Sequence, residues 1–331
     1  MHEQTLDSTE NDLLDPDELG GQDDALPQAE TRAWQVDEQD HGARLDKALV
    51  RQAPEFSRSH LQSLISRECV TVDGAVASAA SRKLRLGQRV AVQLLPTAQA
   101  QAFRAEPMSL VVLFEDEHLL IVDKPAGLVV HPAPGHWSGT LLNGLLAHHS
   151  GAAALPRAGI VHRLDMDTSG VMVVAKTLPT MQSLVRAIAA REVQRVYRAI
   201  AQRHLRLDEQ DVQAPLGRDP RSRIRMGVLA SGKPSRTTVR VLARSPSGHT
   251  AVECHLHTGR THQIRVHMAH LGHPLVADVL YGGVPALGMT RQALHAWRLA
   301  LVHPATGQEL FVEAGLPPDL QAAWSQVAPV G

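Results

Sequence analysis

A carboxylate set between two apolar runs is costly to fold, and one stretch of this chain is built around such a carboxylate. Gly159-Ile160-Val161 leads in and Val171-Met172-Val173-Val174-Ala175 leads out. Between them stand His162-Arg163-Leu164-Asp165-Met166-Asp167-Thr168-Ser169-Gly170. The trailing run is short, apolar and rich in valine, which predicts a buried strand. Asp165 then lies at the mouth of buried structure, where an acid is tolerated only if a cation or backbone donors answer it. Acids placed in this way are candidates for function.

The rest of the chain sets limits on that function. At 331 residues it exceeds the usual size of one domain, so two folded domains and a tail are expected. The net charge of −1 conceals an asymmetry. Residues 1–40 hold 13 acidic residues against the single basic Arg32, leaving a net +11 for 41–331. With few aromatics and no apolar period, 1–40 reads as an acidic disordered tail. The basic remainder suits a partner with a phosphate backbone. Aromatic residues make up only 3%, which argues against an extended base-stacking platform. Cys69 and Cys254 form no CxxC pattern, so neither a disulfide framework nor a thiolate zinc site is expected. No apolar run approaches the length of a membrane span and no charged-then-apolar leader is present, which points to a soluble cytoplasmic protein.

Residues 41–95 read as a small module. Leu45, Ala48 and Leu49 recur at helical spacing. Ser57 can cap a second helix with Leu61, Leu64 and Ile65 on one face and Arg58, His60 and Arg67 on the other. Val70-Thr71-Val72 runs into the hairpin turn Asp73-Gly74, and Val90, Val92 and Leu94 alternate in a later strand. Residues 96–108 have linker composition, and 109–331 form the larger unit. There, Leu119–Val122 reads as a buried strand turned by Lys124-Pro125-Ala126-Gly127. Pro179 opens a helix whose Met181, Leu184, Val185 and Ile188 share a face. Many short strands and few helices predict an α+β fold with a central mixed, mainly antiparallel sheet. No Gly-rich phosphate loop is present.

Several of these segments, in this order, resemble the RNA pseudouridine synthases, in the branch that modifies large-subunit ribosomal RNA. The resemblance rests on Leu128-Val129-Val130-His131-Pro132, on the run from Pro156 to Gly170, and on Arg195-Val196-Tyr197-Arg198-Ala199. It extends through Leu256–Met268, which contains His262-Gln263-Ile264-Arg265, and through Arg291-Gln292-Ala293-Leu294-His295-Ala296. The module at 41–95 resembles the S4 RNA-binding domain through Arg44-Leu45-Asp46-Lys47, Ser57-Arg58-Ser59, Val70–Gly74 and Leu86-Gly87. The resemblance implies a pseudouridine synthase catalytic domain behind a small S4-like RNA-binding domain. It implies catalysis by Asp165, Tyr197 and Arg265, with Arg163 filling the place of a flipped-out uridine. Arg163, His162, Arg260, Arg58 and Arg67 are then the expected RNA contacts. The implied partner is 23S rRNA or a pre-50S ribosomal particle, the implied targets are the clustered uridines of the helix 69 loop, and the implied state is a monomer. No metal, redox cofactor or nucleotide cofactor is implied. Met166 departs from the pattern, since many relatives carry a basic residue there, and the connection from Gly283 to Arg291 is short.

The residue types suit this chemistry. A carboxylate in a water-poor pocket drifts towards its neutral form, and a guanidinium opposes that drift while orienting the oxygens. A tyrosine ring can stack on a uracil, and its hydroxyl can accept or relay a proton. The target base must leave the RNA stack, at a cost of a few kcal/mol. Two rival readings fit less well. A non-catalytic RNA-binding or ribosome-assembly factor would not need Asp165, Tyr197 and Arg265 together. A hydrolase using Asp165 with Asp167 would want a raised carboxyl pKa rather than neighbouring arginines. His255, His257, His262, His267, His270 and His273 crowd one region, but their spacing matches no zinc motif. Arg218, Arg221, Arg223, Arg225, Lys233, Arg236 and Arg240 share a span with one acid, Asp219, and are expected to position phosphates.

Overall fold

The computed structural model describes residues 30–95, 102–133, 135–222 and 224–328. These divide into two compact units, one ending at Phe103 and the other beginning at Arg104. Residues 1–29 of the acidic tail, 96–101 of the linker and Arg223 lie outside the described residues.

The first unit holds strands β1 (Glu30–Gln35), β2 (Val70–Val72), β3 (Ala75–Val76) and β4 (Arg89–Leu94) and helices α1 (Leu45–Gln52) and α2 (Arg58–Ser66). The strands form one sheet in the order β1-β4-β2-β3. Asp73 and Gly74, both with positive φ, make the two-residue turn that pairs Val72 with Ala75. Ser57 caps α2 by accepting from the His60 N–H at 3.3 Å. Leu45, Leu49, Leu61, Leu64 and Ile65 from the helices meet Val70, Val72, Val90 and Val92 from the sheet in one core. The tail boundary requires correction. β1 pairs antiparallel with β4 along its whole length, from Glu30 against Leu94 to Gln35 against Arg89, so the module starts within the expected tail. Its burial alternates weakly and its length is short, so composition alone placed it with the acidic residues.

The second unit is a nine-stranded sheet. Its strands are β5 (Val111–Glu115), β6 (Leu119–Lys124), β7 (Ser169–Ala175), β8 (Gln194–Gln202) and β9 (Glu209–Gln213), followed by β12 (Arg236–Arg244), β13 (His249–Leu256), β14 (Leu294–Val302) and β15 (Glu309–Glu313). Their order is β5-β6-β7-β14-β8-β13-β12-β9, with β15 on β14. Only β7 and β14 run parallel; the other pairs are antiparallel. A separate hairpin pairs β10 (Leu216–Arg218) with β11 (Met226–Val228).

All of β7 is buried because core lies on both of its faces. Met172 and Val174 join Leu120, Val122 and Ala199 on one side, while Val171 and Val173 join Leu119, Ile121 and Leu184 on the other. Helix α4 (Leu178–Ala189) covers this second side with Leu184 and the partly buried Met181, Val185 and Ile188. Helices α3 (Leu141–His148), α5 (Gln263–His270) and α6 (Pro318–Val327) complete the unit. The linker is shorter than its composition suggests. The Arg104 carbonyl accepts from Asn143 Nδ2 at 2.8 Å, and the Glu106 N–H donates to the Asn143 carbonyl at 3.0 Å. These bonds tie 104–108 to the N-terminal turn of α3. Among the described residues no helix is long and apolar enough to cross a membrane.

Candidate active site

The loop ahead of β7 is pinned residue by residue, and the Asp165 side chain is left to reach outward. Buried Lys124, at the end of β6, donates from Nζ to the carbonyls of Pro125, Leu128 and Met166 at 2.8, 2.9 and 2.9 Å. The Gly127 N–H donates to the same Met166 carbonyl at 2.9 Å. Arg291 Nη1 donates to the Asp167 carbonyl at 2.9 Å, and Gln292 reaches the Thr168 hydroxyl at 3.4 Å. His295 Nε2 lies 3.2 Å from the Ala314 carbonyl, which can only accept. Its Nδ1 is therefore the acceptor for the Ser169 hydroxyl at 2.9 Å. Burial lowers the His295 pKa to about 4, which keeps the ring neutral for this role.

Gly170 closes the loop at φ +119°, and a Cβ there would stand 2.1 Å from the Ala296 carbonyl oxygen. This close approach joins β7 to β14 through the pairs Ser169–His295 and Gly170–Ala296. In the next strand Ala296 pairs with Tyr197. The row Gly170–Ala296–Tyr197 thus carries the end of the Asp165 loop across the sheet to the tyrosine, although 27 positions separate Gly170 from Tyr197 in sequence.

Arg265 arrives from the first turn of α5. Its Nη1 donates to Asp165 Oδ2 at 3.1 Å, while Nε and Nη2 grip both oxygens of Asp278 at 2.8 Å. The Arg265 side chain is 8% exposed and that of Asp278 1%, so the fork is held almost out of water. Burial alone would lower the arginine's pKa; hydrogen bonding to Asp278 and the charges of both acids outweigh it and raise it. Tyr197 is buried, and its pKa is pushed up to about 12, first by burial, with the Asp165 charge adding to it and Arg195 opposing. The hydroxyl therefore keeps its proton at neutral pH, so it can donate and relay but is a poor base. Around the same acid, His262 Nε2 stands 3.9 Å from Asp165 Oδ1, and Lys124 feels the charges of Asp165 and Asp167. Burial is the larger influence on Lys124 and brings its pKa down to about 8.

The chain is similar to known proteins over most of its length. A family model described as RNA pseudouridylate synthase matches residues 118–270, and an S4 domain model matches 43–90. The ribosomal large subunit pseudouridine synthase D of Nitrosomonas europaea is 48% identical over 289 residues, covering 85% of this chain and 83% of its own. The chain belongs to the RNA pseudouridine synthase family. The protein of the same name from Escherichia coli is 42% identical over 298 residues, covering 86% of this chain and 90% of its own. Among solved structures, human RNA pseudouridylate synthase domain containing 1 matches with a TM-score of 0.52 at 29% identity, covering 66% of this chain and 90% of that one. The chain is accordingly an RNA-modifying isomerase, an α+β pseudouridine synthase domain preceded by an S4 domain.

Within this synthase the expected site residues fall into distinct settings. Asp165, Arg265 and Tyr197 come together as described. Arg163 is exposed, and its charge acts on both His131 and His262. Arg260 is half-buried, with Nε and Nη2 each 3.4 Å from the Pro234 carbonyl. Arg58 and Arg67 belong to the S4 unit. Arg67 is exposed, whereas Arg58 donates to the fully buried Asp46 at 2.7 Å, so its charge is shared with an acid. His60 turns its Nε2 to the Leu95 carbonyl at 3.0 Å and stacks on Phe56.

His162, expected as an RNA contact, turns one ring nitrogen into the fold. Its Nε2 accepts from the Val173 N–H at 3.0 Å, and its Nδ1 is buried without a hydrogen-bond partner among the described residues. Burial lowers its pKa to about 3, so this neutral ring fastens the loop to β7 and offers RNA no charge. The arginine run also changes character. Arg236 and Arg240 pair with Asp211 and Glu209 across the β12–β9 register, while Arg221 and Arg225 flank the tip of the β10–β11 hairpin. The crowded histidines disperse to separate partners: His255 to Glu253, His257 to Thr238, His267 to Thr237 and the Ala214 carbonyl, and His273 to the Gln202 carbonyl.

Lys124, Asp278 and Tyr281 went unnoticed in sequence. A lysine in Lys-Pro-Ala-Gly reads as a turn residue, and its complete burial depends on a loop about 40 residues away. Asp278 lies 13 positions beyond Arg265, outside any helical or strand spacing. Tyr281 is one of only two tyrosines, which was the one available signal.

Proposed function

We propose that this synthase isomerises specific uridines of 23S ribosomal RNA, the clustered uridines of the helix 69 loop, acting as a monomer on the rRNA or a pre-50S particle. The observation that carries the reading is the Asp165–Arg265–Asp278 cluster at 3.1 and 2.8 Å, in a chain whose relatives at 41–48% identity are ribosomal large subunit synthases. The reaction breaks the N1–C1′ bond of uridine and forms a C5–C1′ bond; C5 gives up its proton and N1 takes one up, so no oxidant, phosphate donor or metal enters the balance. Asp165 is the acid that adds to the nucleotide. Arg265, fixed by Asp278, presents and orients the carboxylate. The Tyr197 ring offers a stacking surface, and Arg163 occupies the place the flipped uridine leaves. Arg260 and Arg67 supply phosphate contacts.

The test is pseudouridine mapping of rRNA from a deletion strain, complemented with the wild-type gene or with Asp165→Asn. The expected result is loss of the helix 69 pseudouridines, their return with wild type, and none with Asp165→Asn although the variant still folds and binds RNA. Loss at other 23S rRNA sites or in tRNA would move the target. Restoration by Asp165→Asn would overturn the catalytic assignment.

A further inference from the structure

The two oxygens of Asp165 are not equivalent. Oδ2 accepts from Arg265, whereas Oδ1 faces His262 Nε2 across 3.9 Å, a gap too long for a hydrogen bond but closed by a small movement. What His262 offers Oδ1 depends on where its proton sits, and the surroundings fix that. Its Nδ1 lies 2.7 Å from the hydroxyl of Tyr281, which is buried. That hydroxyl also accepts the Met226 N–H at 2.9 Å, from the first residue of β11. A phenol has one proton to give. With the oxygen already accepting from Met226, the proton goes to His262 Nδ1. The opposite arrangement would crowd two donors on the oxygen and leave a buried O–H unmatched. A neutral ring that accepts at Nδ1 carries its hydrogen on Nε2, the atom facing Asp165.

Two further features hold the ring in place. His262 has φ +57°, a left-handed conformation that a non-glycine residue adopts at a cost, immediately before α5. Its ring also meets Tyr281 edge-on at 5.6 Å between centroids. Burial, with the Arg265 and Arg163 charges, outweighs Asp165 and Asp278 and lowers the His262 pKa, consistent with a neutral ring.

We infer that His262 is a positioning residue: Tyr281 holds it in the Nε2–H form, and this N–H orients Oδ1 of Asp165 as the reacting oxygen, while Arg265 holds Oδ2. The inference rests on the assignment of Asp165 as the reacting acid, but the protonation state is testable without activity. In the full-length protein labelled with ¹⁵N-histidine, the resonances lost in His262→Gln identify this ring. Wild type should show a neutral Nε2–H ring near pH 7, and Tyr281→Phe should show a mixture of the two neutral forms. A wild-type Nδ1–H or doubly protonated ring overturns the inference whatever the RNA target proves to be.

Kinetics on an rRNA fragment supply the second arm. Tyr281→Phe should lower kcat about tenfold with KM for RNA nearly unchanged, as for a group that orients rather than binds. His262→Gln, whose amide N–H can replace Nε2–H and has no second form, should retain more activity than His262→Ala. In the His262→Gln background, Tyr281→Phe should lower kcat by less than about twofold, because no ring proton remains to be fixed. Independent, multiplying losses from the two substitutions would overturn the relay.

Discussion

Lys124 shows how much one side chain can hold near the site. Its ammonium serves three carbonyls, one of them on the residue next to Asp165. Lys124→Met preserves the aliphatic stem but leaves those acceptors without their donor. It should destabilise the protein by about 3 kcal/mol and reduce kcat more than it raises KM. Urea midpoints with steady-state kinetics check both parts, and an unchanged midpoint would mean that water replaces the ammonium. His162 teaches a related lesson. In sequence it sits beside Arg163 and reads as one more RNA contact, yet its backbone partner in β7 turns it inward.

At the scale of elements, the single parallel contact between β7 and β14 brings the Asp165 loop and Tyr197 together, and Gly170 permits it. Gly170→Ala would drive a methyl group into the Ala296 backbone from a positive φ. The expected loss exceeds about 3 kcal/mol, or no soluble protein is recovered; Ala at Gly42, where no atom approaches a Cβ within 4 Å, controls for the backbone preference alone. Thermal unfolding of the two variants makes the comparison.

In the S4 unit, Asp46 on α1 is held by Arg44, just ahead of that helix, and by Arg58 and Gln62 on α2, and its pKa falls far below the carboxylate range, hydrogen bonding to Arg44 being the largest cause. The sign follows from the lowered value. Its contribution to stability is complete above the unfolded pKa of about 3.9 and is lost as pH falls through the lower native one. Asp46→Asn should therefore cost stability at neutral pH, and its difference from wild type should shrink steadily below about pH 4. Denaturation followed across that range decides it; a difference independent of pH would mean that packing, not charge, is what the acid supplies.

For the whole molecule, charge segregation is the dominant feature. Residues 1–29 carry nine acidic residues and no lysine or arginine, ahead of a chain that is otherwise net positive. An acidic segment on the same chain competes with RNA for basic surface at high effective concentration, and salt screens the competition within about 10 Å at 0.1 M. Deleting 1–29, which spares β1, should tighten binding to unrelated RNA at low salt, with the gain fading as salt rises. Equal binding by both forms at low ionic strength would assign the segment to solubility instead. The pairing of Arg236 and Arg240 with acids of β9 already removes part of the surface that the arginine run seemed to offer, so within that run Arg221 and Arg225 of the hairpin are the ones to substitute in a test of phosphate contact.

Local chemistry wrote much of this protein into its sequence. The Asp73-Gly74 turn, the Ser57 cap, the alternation in β4 and the α4 face depend on neighbours within a few positions, and each was legible without coordinates. The long signatures around Asp165 and Arg265 were legible for the same reason, since each is a continuous segment. What tertiary structure decided was every relation between segments. It set Asp278 behind Arg265, Lys124 under the Asp165 loop, Tyr281 on His262 and the β9 acids beside arginines that seemed unopposed. It also drew residues 30–35 out of the acidic tail, because a strand with a weak apolar pattern is specified by the edge it pairs with. Hydrogen bonds and ion pairs act over about 3 Å in space and are indifferent to distance along the chain, so only folding could show which charges answer one another.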